Sequence, residues 1–318
     1  MVKIDFLNVG HGDCSIISHG SARISMIDIN NGTEIDKESA KELLDEYKIG
    51  EAAQLYALYK GVSESCLLKE AGYTIELINP IEFLMNHYQG KSIFRYIQTH
   101  PDLDHMRGLV GLSKEKVDIC NFWDTEHDKV PEFQSDSDKE EWQEYEKYRS
   151  GNKNIKILNI YQGCKAVFYA EDPQGVPPGD GWEILSPTPE IARAAVEAEN
   201  WNNLSYVLRL TYKGIKIIFA GDAEKEVWDD LVKVYGDDLK CNVLKASHHG
   251  RDTGYHEEAM KRMNPQYTIV SVGKKPENDA SNKYRKYCDN VWSTRWKGNI
   301  TLEIFEDGRG QIVSQYER

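Results

Sequence analysis

"FRYIQTHPDLDHMRGLVGL", residues 94–112, sets two histidines and two aspartates, His100, Asp102, Asp104 and His105, directly behind an apolar run. "SIFRYIQT" reads as a strand and "MRGLVGLSK" as a short helix, so the four side chains fall on the loop at a strand's C-terminal end. Imidazole nitrogens and carboxylate oxygens are the donors that divalent cations take. A structural histidine needs only one hydrogen-bond partner, whereas a ligand set needs donors converging from several strands. H-x-D-x-D-H behind a strand therefore asks for a metal.

Two further segments follow the same plan of a strand ending in a short loop with metal-type side chains. They are "IIFAGDAEKE", with Asp222, and "LKASHHG", with His248 and His249. Around them the chain is rich in strand patterns. "MVKIDFLNVG" alternates Val2, Ile4 and Phe6, and "CSIIS" and "RISMIDI" continue it as an opening meander. Residues 33–90 carry apolar positions three and four apart among helix formers, which predicts a helical insertion or cap. Residues 124–152 are polar and acidic and predict a surface excursion with one charged, solvated helix. In the second half "IKILNI", "AVFYA", "WEILSP", "SYVLRLTY", "GIKIIFAGD", "NVLKASHHG", "YTIVSVG" and "NITLEIFEDG" read as strands, with helices near "EKEVWDDLVKVYG" and "HEEAMKRM". Two β-rich halves with interspersed helices and no linker rich in Pro, Gly or Ser predict one domain over 1–318, sheet packed on sheet with helices outside.

The chain has 318 residues, 40% of them hydrophobic, enough for a large core. Its first residues lack the basic start and apolar stretch of a secretory signal, and no run of about 18 apolar residues occurs; the expectation is a cytoplasmic, unanchored protein. Six scattered cysteines without C-x-x-C spacing read as reduced thiols. A formal charge of −13 argues against coating nucleic acid by bulk electrostatics. It leaves room for a local basic groove, or for cations that bring positive charge to the site itself.

Taken in order, these segments resemble the metallo-β-lactamase-fold hydrolases, and within them the hydrolase domain of ComEC-type competence proteins. "FLNVGHGDCSII" is similar to that family's "VGQGD" strand and turn, "MIDIN" to its "IDGG" strand end, and "THPDLDHMRGL" to its H-x-H-x-D-H loop. "NWNNLSYVLRL", "IIFAGDAEKE" and "VLKASHHGRDT" resemble its "N-x-S-LVL", "LLTGDAE" and "LKVGHHGS" segments, and "STRWKGNITLEI" its closing strand pair. The resemblance covers nearly the whole length.

It implies an α/β protein, an αββα four-layer sandwich with helical insertions, and two divalent metal ions at one edge between the sheets. Carried over by position, His100 and Asp102 belong to one metal and Asp104 and His105 to the other, while Asp222 bridges them. His249 is the last ligand, with His248 beside it handling substrate phosphate or protons; the sequence leaves open which of the two ligates. Asp104 and His248 are the residues expected to carry catalysis. Asp13 and Asp28, in the turns "GHGD" and "DINNGT", would orient metal-bound histidines through their second ring nitrogen, unless they serve only as turn residues. Two departures stand out: Asp102 replaces the commoner histidine, and no histidine lies between His127 and His248, where the family has its middle ligand. Asn203 or Ser205 lies near that slot, with Asn203 as a weak ligand or phosphate contact. Both departures shift the site towards oxygen donors, which suit Mn²⁺ as well as Zn²⁺. His19, His87, His127 and His256 fall in no matching segment and are expected to be structural, as is Trp296 beside Arg295.

The expected chemistry is hydrolysis by a metal-activated hydroxide, with no protein nucleophile. The ComEC-like likeness implies phosphodiester substrates and a nuclease acting on DNA or RNA. The rival readings are a small-molecule phosphodiesterase, cleaving a phosphocholine ester or cyclic nucleotide, and a non-catalytic binding or regulatory protein of the same fold. Fold alone does not choose among them, and the sequence is silent on oligomeric state.

Overall fold

The computed structural model describes all residues except 33, 34, 36, 89–91, 134, 152–154, 166–178, 274–280 and 318. The expected strand "AVFYA" lies within 166–178, outside the described residues. Among the described residues fourteen strands form two mixed sheets. The first holds β1 (Val2–Phe6), β2 (Ser15–Ser18), β3 (Ile24–Ile27), β4 (Ile93–Ile97), β5 (Ile119–Asp124) and β6 (Lys156–Asn159). The second holds β7 (Trp182–Ser186), β8 (Val207–Tyr212), β9 (Ile215–Phe219), β10 (Val243–Lys245), β11 (Tyr267–Val270) and β12 (Asn290–Ser293). β13 (Ile300–Ile304) and β14 (Gly310–Ser314) return to the first, giving the orders β14-β13-β1-β2-β3-β4-β5-β6 and β12-β11-β10-β9-β8-β7. β3 to β6 run parallel, as do β9 to β12.

Period-2 alternation fixes which side chains face which layer. Val2, Ile4, Phe6, Ile17, Ile27 and Ile97 of one sheet meet Trp182, Leu208, Leu210, Ile217, Phe219 and Ile269 of the other in a single buried layer. The opposite face of the first sheet, with Ile16, Met26, Tyr96 and Phe122, is covered by the helices Pro80–Tyr88, Leu109–Lys114 and Asp136–Arg149. That of the second, with Ile218, Leu244 and Val270, is covered by Lys225–Tyr235 and Glu257–Met263. Helix, sheet, sheet, helix is the αββα sandwich that the sequence implied.

One expectation is corrected here. The helix Asp136–Arg149 is not merely a charged, solvated excursion: Trp142, Tyr145 and Tyr148, spaced three apart, form one buried stripe against the first sheet. Within 33–90 the helices Lys37–Glu46, Glu51–Tyr59 and Glu64–Glu70 precede Pro80–Tyr88, which belongs to the outer layer itself. Leu43, Leu44, Leu68, Tyr73 and Ile75 make a small separate core there, against which Trp296 packs. Arg295 is buried and ion-paired with Glu42 and Glu46, each at 3.0 Å, tying that insertion to the end of β12.

Candidate metal centre

The H-x-D-x-D-H loop leaves β4 and is stapled from below. Gln98 Nε2 donates to the carbonyls of His100 (2.8 Å) and His105 (3.1 Å), so the two ends of the loop are held by one amide. Three other loops reach the same edge: the turn after β1, the turn after β9 with Asp222, and the turn after β10 with His248 and His249. Asp28, His248 and His249 all take positive φ, 54°, 49° and 52°. Non-glycine residues in that region cost about 1–3 kcal/mol each and persist where the surroundings over-determine them. Gly221 is required before Asp222: at φ +50° a Cβ would lie 2.9 Å from Ser205 Oγ, and that hydroxyl accepts the Asp222 N–H.

Three histidines point the same way for the same reason. His105 donates from Nδ1 to Asp28 Oδ2 at 2.8 Å, and Asp28 is itself held by the Thr99 N–H and hydroxyl. His249 donates from Nδ1 to the Ser271 carbonyl at 3.0 Å. His100 Nδ1 meets the Thr99 hydroxyl at 3.1 Å, which donates onward to Asp28. With Nδ1 engaged behind, each ring turns Nε2 into the site, the tautomer a ligand needs. The Nε2 atoms of His100 and His105 and Oδ1 of Asp222 are buried and have no hydrogen-bond partner among the described residues.

Asp222 sits between the histidines. Its Oδ1 is 3.4 Å from His105 Nε2, and its Oδ2 is 3.6, 3.8 and 3.9 Å from Nε2 of His249, His248 and His100. Asp104 Oδ2 is 3.1 Å from His249 Nε2 and 3.9 Å from His105 Nε2. Among the described residues two donor clusters lie around Asp222 and Asp104: His100, His105 and Asp222, and His11, Asp104 and His249. A third, Asp13, Asp28 and His105, lies behind them, the donor atoms in each within 4.8 Å of one another. Burial opposes charge on Asp222 and Asp104, but the histidines outweigh it and hold both carboxyls well below the ordinary range. Burial likewise opposes protonation of His105, and Asp222, Asp28 and Asp104 overcome it, raising its pKa well above normal. Proton or metal, this cluster is built for positive charge.

The placements refine the expected ligand set. His105 groups with His100 rather than only with Asp104. Asp102 has Oδ2 3.7 Å from His100 Nε2, but its other oxygen is ion-paired with Lys129. Asp13 is not behind a histidine ring nitrogen; both its oxygens face the buried Lys245 Nζ, at 2.6 and 2.8 Å. Asn203 bonds the turn that follows Asp222, accepting from the Glu224 N–H and donating to Glu226. His248 lies at the mouth, Nδ1 with Thr253 Oγ1 (2.7 Å) and Nε2 with Arg251 (3.2 Å). The four histidines expected to be structural have such partners: His19 with Ser25, His87 with a helix carbonyl, His127 with Tyr145, and His256 capping a helix. His11 stands in the "GHGD" turn at a place where the similar family pattern has glutamine, so the resemblance assigns it no role.

No family model matches the chain. ComE operon protein 3 of Bacillus subtilis (strain 168) is 29% identical over 136 residues, 43% of this chain and 16% of that protein. Competence protein ComA of Neisseria gonorrhoeae is 28% identical over 119 residues, 36% of this chain and 17% of its own. The matches thus span about one sixth of each relative. Among solved structures, the metallo-β-lactamase fold protein YhfI of Bacillus subtilis aligns over 98% of this chain and 100% of its own, with 8% identity and a TM-score of 0.46. CmlA, a diiron β-hydroxylase from Streptomyces venezuelae, aligns over 95% of this chain and 54% of its own, with 9% identity and a TM-score of 0.46. Among the described residues no helix is long and apolar enough to cross a membrane. In sequence the chain resembles ComEC-type competence proteins, and its four-layer sandwich with histidines and aspartates at one edge is the arrangement that this resemblance implies.

Proposed function

We propose that this protein is a metal-dependent hydrolase of phosphodiester bonds, acting on a strand of DNA or RNA. The observation that carries it is the convergence of His100, His105 and His249, each with Nδ1 engaged behind and Nε2 turned inward, on Asp222 and Asp104. Buried polar atoms without partners cost about 1–3 kcal/mol apiece, and several together at one point are accounted for by cations there. Mixed nitrogen and oxygen donors suit Zn²⁺ or Mn²⁺.

His100, His105 and Asp222 would hold one ion, Asp104 and His249 the other, with the two oxygens of Asp222 facing different histidines. Bound divalent cations supply Lewis-acid charge to a phosphoryl centre and to the water that attacks it. The chain's own groups do the rest. Asp28 and the Ser271 carbonyl keep His105 and His249 from rotating. His248, at the mouth and outside both donor clusters, is placed to pass a proton to the leaving oxygen. Arg251 has no carboxylate partner among the described residues, and its planar donors fit an anionic phosphoryl oxygen. Support for a polynucleotide comes from the likeness to ComEC-type proteins, one relative being named a competence protein.

The test is an assay of chelator-free protein with Mn²⁺ or Zn²⁺ on single- and double-stranded DNA, on RNA, on bis-p-nitrophenyl phosphate, on a cyclic nucleotide and on a phosphocholine ester. Chelator-sensitive cleavage of a polynucleotide is expected. Turnover of only the small esters would move the substrate to a small phosphodiester, and none on any would leave a binding or regulatory protein.

A further inference from the structure

We infer that His11, from the turn between β1 and β2, is a metal ligand of this protein, supplying with Asp104 and His249 the donor that the absent middle histidine would otherwise leave missing. This rests on the metal-dependent reading above and goes beyond it, because the family pattern that the turn resembles has glutamine at this place. One donor atom each from His11, Asp104 and His249 lies within 4.8 Å of the others, the spread of ligands around a single ion. The His11 and His249 ring centroids stand 4.9 Å apart with the planes tilted by 41°.

The turn is fixed to the very loop that carries Asp104. The Asp13 N–H donates to the Asp104 carbonyl at 3.3 Å. Gly12, at φ +149°, lets the two backbones approach so closely that a Cβ would lie 2.5 Å from that carbonyl oxygen. On the other side Asn30 Nδ2 donates to the carbonyls of Val9 (3.0 Å) and His11 (3.2 Å). His11 is therefore held in place relative to Asp104 by backbone and by a buried amide, as pre-organised ligands are. A guanidinium nitrogen of Arg251 lies 3.3 Å from His11 Nε2. Behind the cluster, Lys245 is ion-paired with Asp13, whose N–H ties the turn to Asp104.

The assignment divides six donors evenly. His100, His105 and Asp222 surround one position and His11, Asp104 and His249 the other, with Asp222 Oδ2 3.6 Å from His249 to link them.

The experiment is titration of chelator-stripped protein with Zn²⁺ by calorimetry, and with Co²⁺ by its visible absorption, for wild type, His11→Gln and His11→Ala. Glutamine is the side chain of the similar turn, so His11→Gln is the variant expected to fold; circular dichroism checks both. Wild type should take up two equivalents. Both variants should retain one at wild-type affinity and bind the second at least about tenfold more weakly, no less than the loss of a supporting residue costs, with a changed Co²⁺ spectrum. Two equivalents at unchanged affinity in the variants would overturn the assignment of His11 alone. No uptake by the wild type would overturn the metal-dependent reading and this inference with it.

Discussion

Asp222 is the residue on which both halves of the centre depend, since its two oxygens face different histidines. Asp222→Asn keeps the size and removes the charge, so the variant should fold, lose affinity at both metal positions and hydrolyse phosphodiesters at least about 100-fold more slowly, the scale of removing one key electrostatic group. Near wild-type turnover with two metals bound would refute the dinuclear scheme. The neighbouring histidines separate by orientation. His249 has Nδ1 on the Ser271 carbonyl and Nε2 towards Asp104, whereas His248 shares its ring nitrogens with Thr253 and Arg251 at the mouth. His249→Ala should lose a metal equivalent, while His248→Ala should keep both and lose turnover; elemental analysis of the two proteins decides it. Much of this was legible, because metal donors cluster at strand ends and short spacings survive folding. Asn203 was not, since a hydrogen bond to a helix start 20-odd residues later leaves no local mark. Lys245 was equally hidden, its partner Asp13 being at the far end of the chain.

At the level of elements, strands were easier to read than their neighbours. Period-2 runs such as Val2, Ile4 and Phe6 declare a strand, but nothing local says that β1 pairs with both β2 and β13, the latter almost the whole chain away. The acidic helix Asp136–Arg149 shows the opposite failure. Its charges dominate the composition, while the three aromatics that set its position are a minority at helical spacing. Trp142→Ala tests that account: the ring packs at 5.3 Å against Tyr145 and is buried, so truncation should lower stability by about 3 kcal/mol, as for other large-to-small aromatic changes. Urea unfolding measures it. A loss within about 0.5 kcal/mol, the range of surface substitutions, would return the helix to the solvated role its charges suggest.

For the molecule as a whole, the sandwich concentrates charged chemistry at one edge, yet a second buried polar group sits deep in the first sheet. His19, on the loop after β2, bonds Ser25 Oγ at 2.7 Å and meets the edge of Trp182, with Arg95 and Asp180 ion-paired beside it at 2.7 Å. Burial pushes its pKa down to about 3; Asp180 opposes the shift, and Arg95 and Arg23 add to it. Because the folded value is depressed, the unfolded chain binds the extra proton. His19 therefore contributes stability that is fully present above about pH 6.5 and is lost progressively as pH falls towards about 3. Within that window its slope approaches about 1.4 kcal/mol per pH unit. Other groups also take up protons in acid, so the measurement is a difference: urea unfolding of wild type and His19→Gln at pH 7, 5 and 4. The glutamine variant cannot take up the proton, and its stability should fall less steeply with acidification. Parallel pH profiles for the two proteins would mean that His19 has the same proton affinity in the folded and unfolded chain, and that the acid sensitivity of the fold comes from other groups.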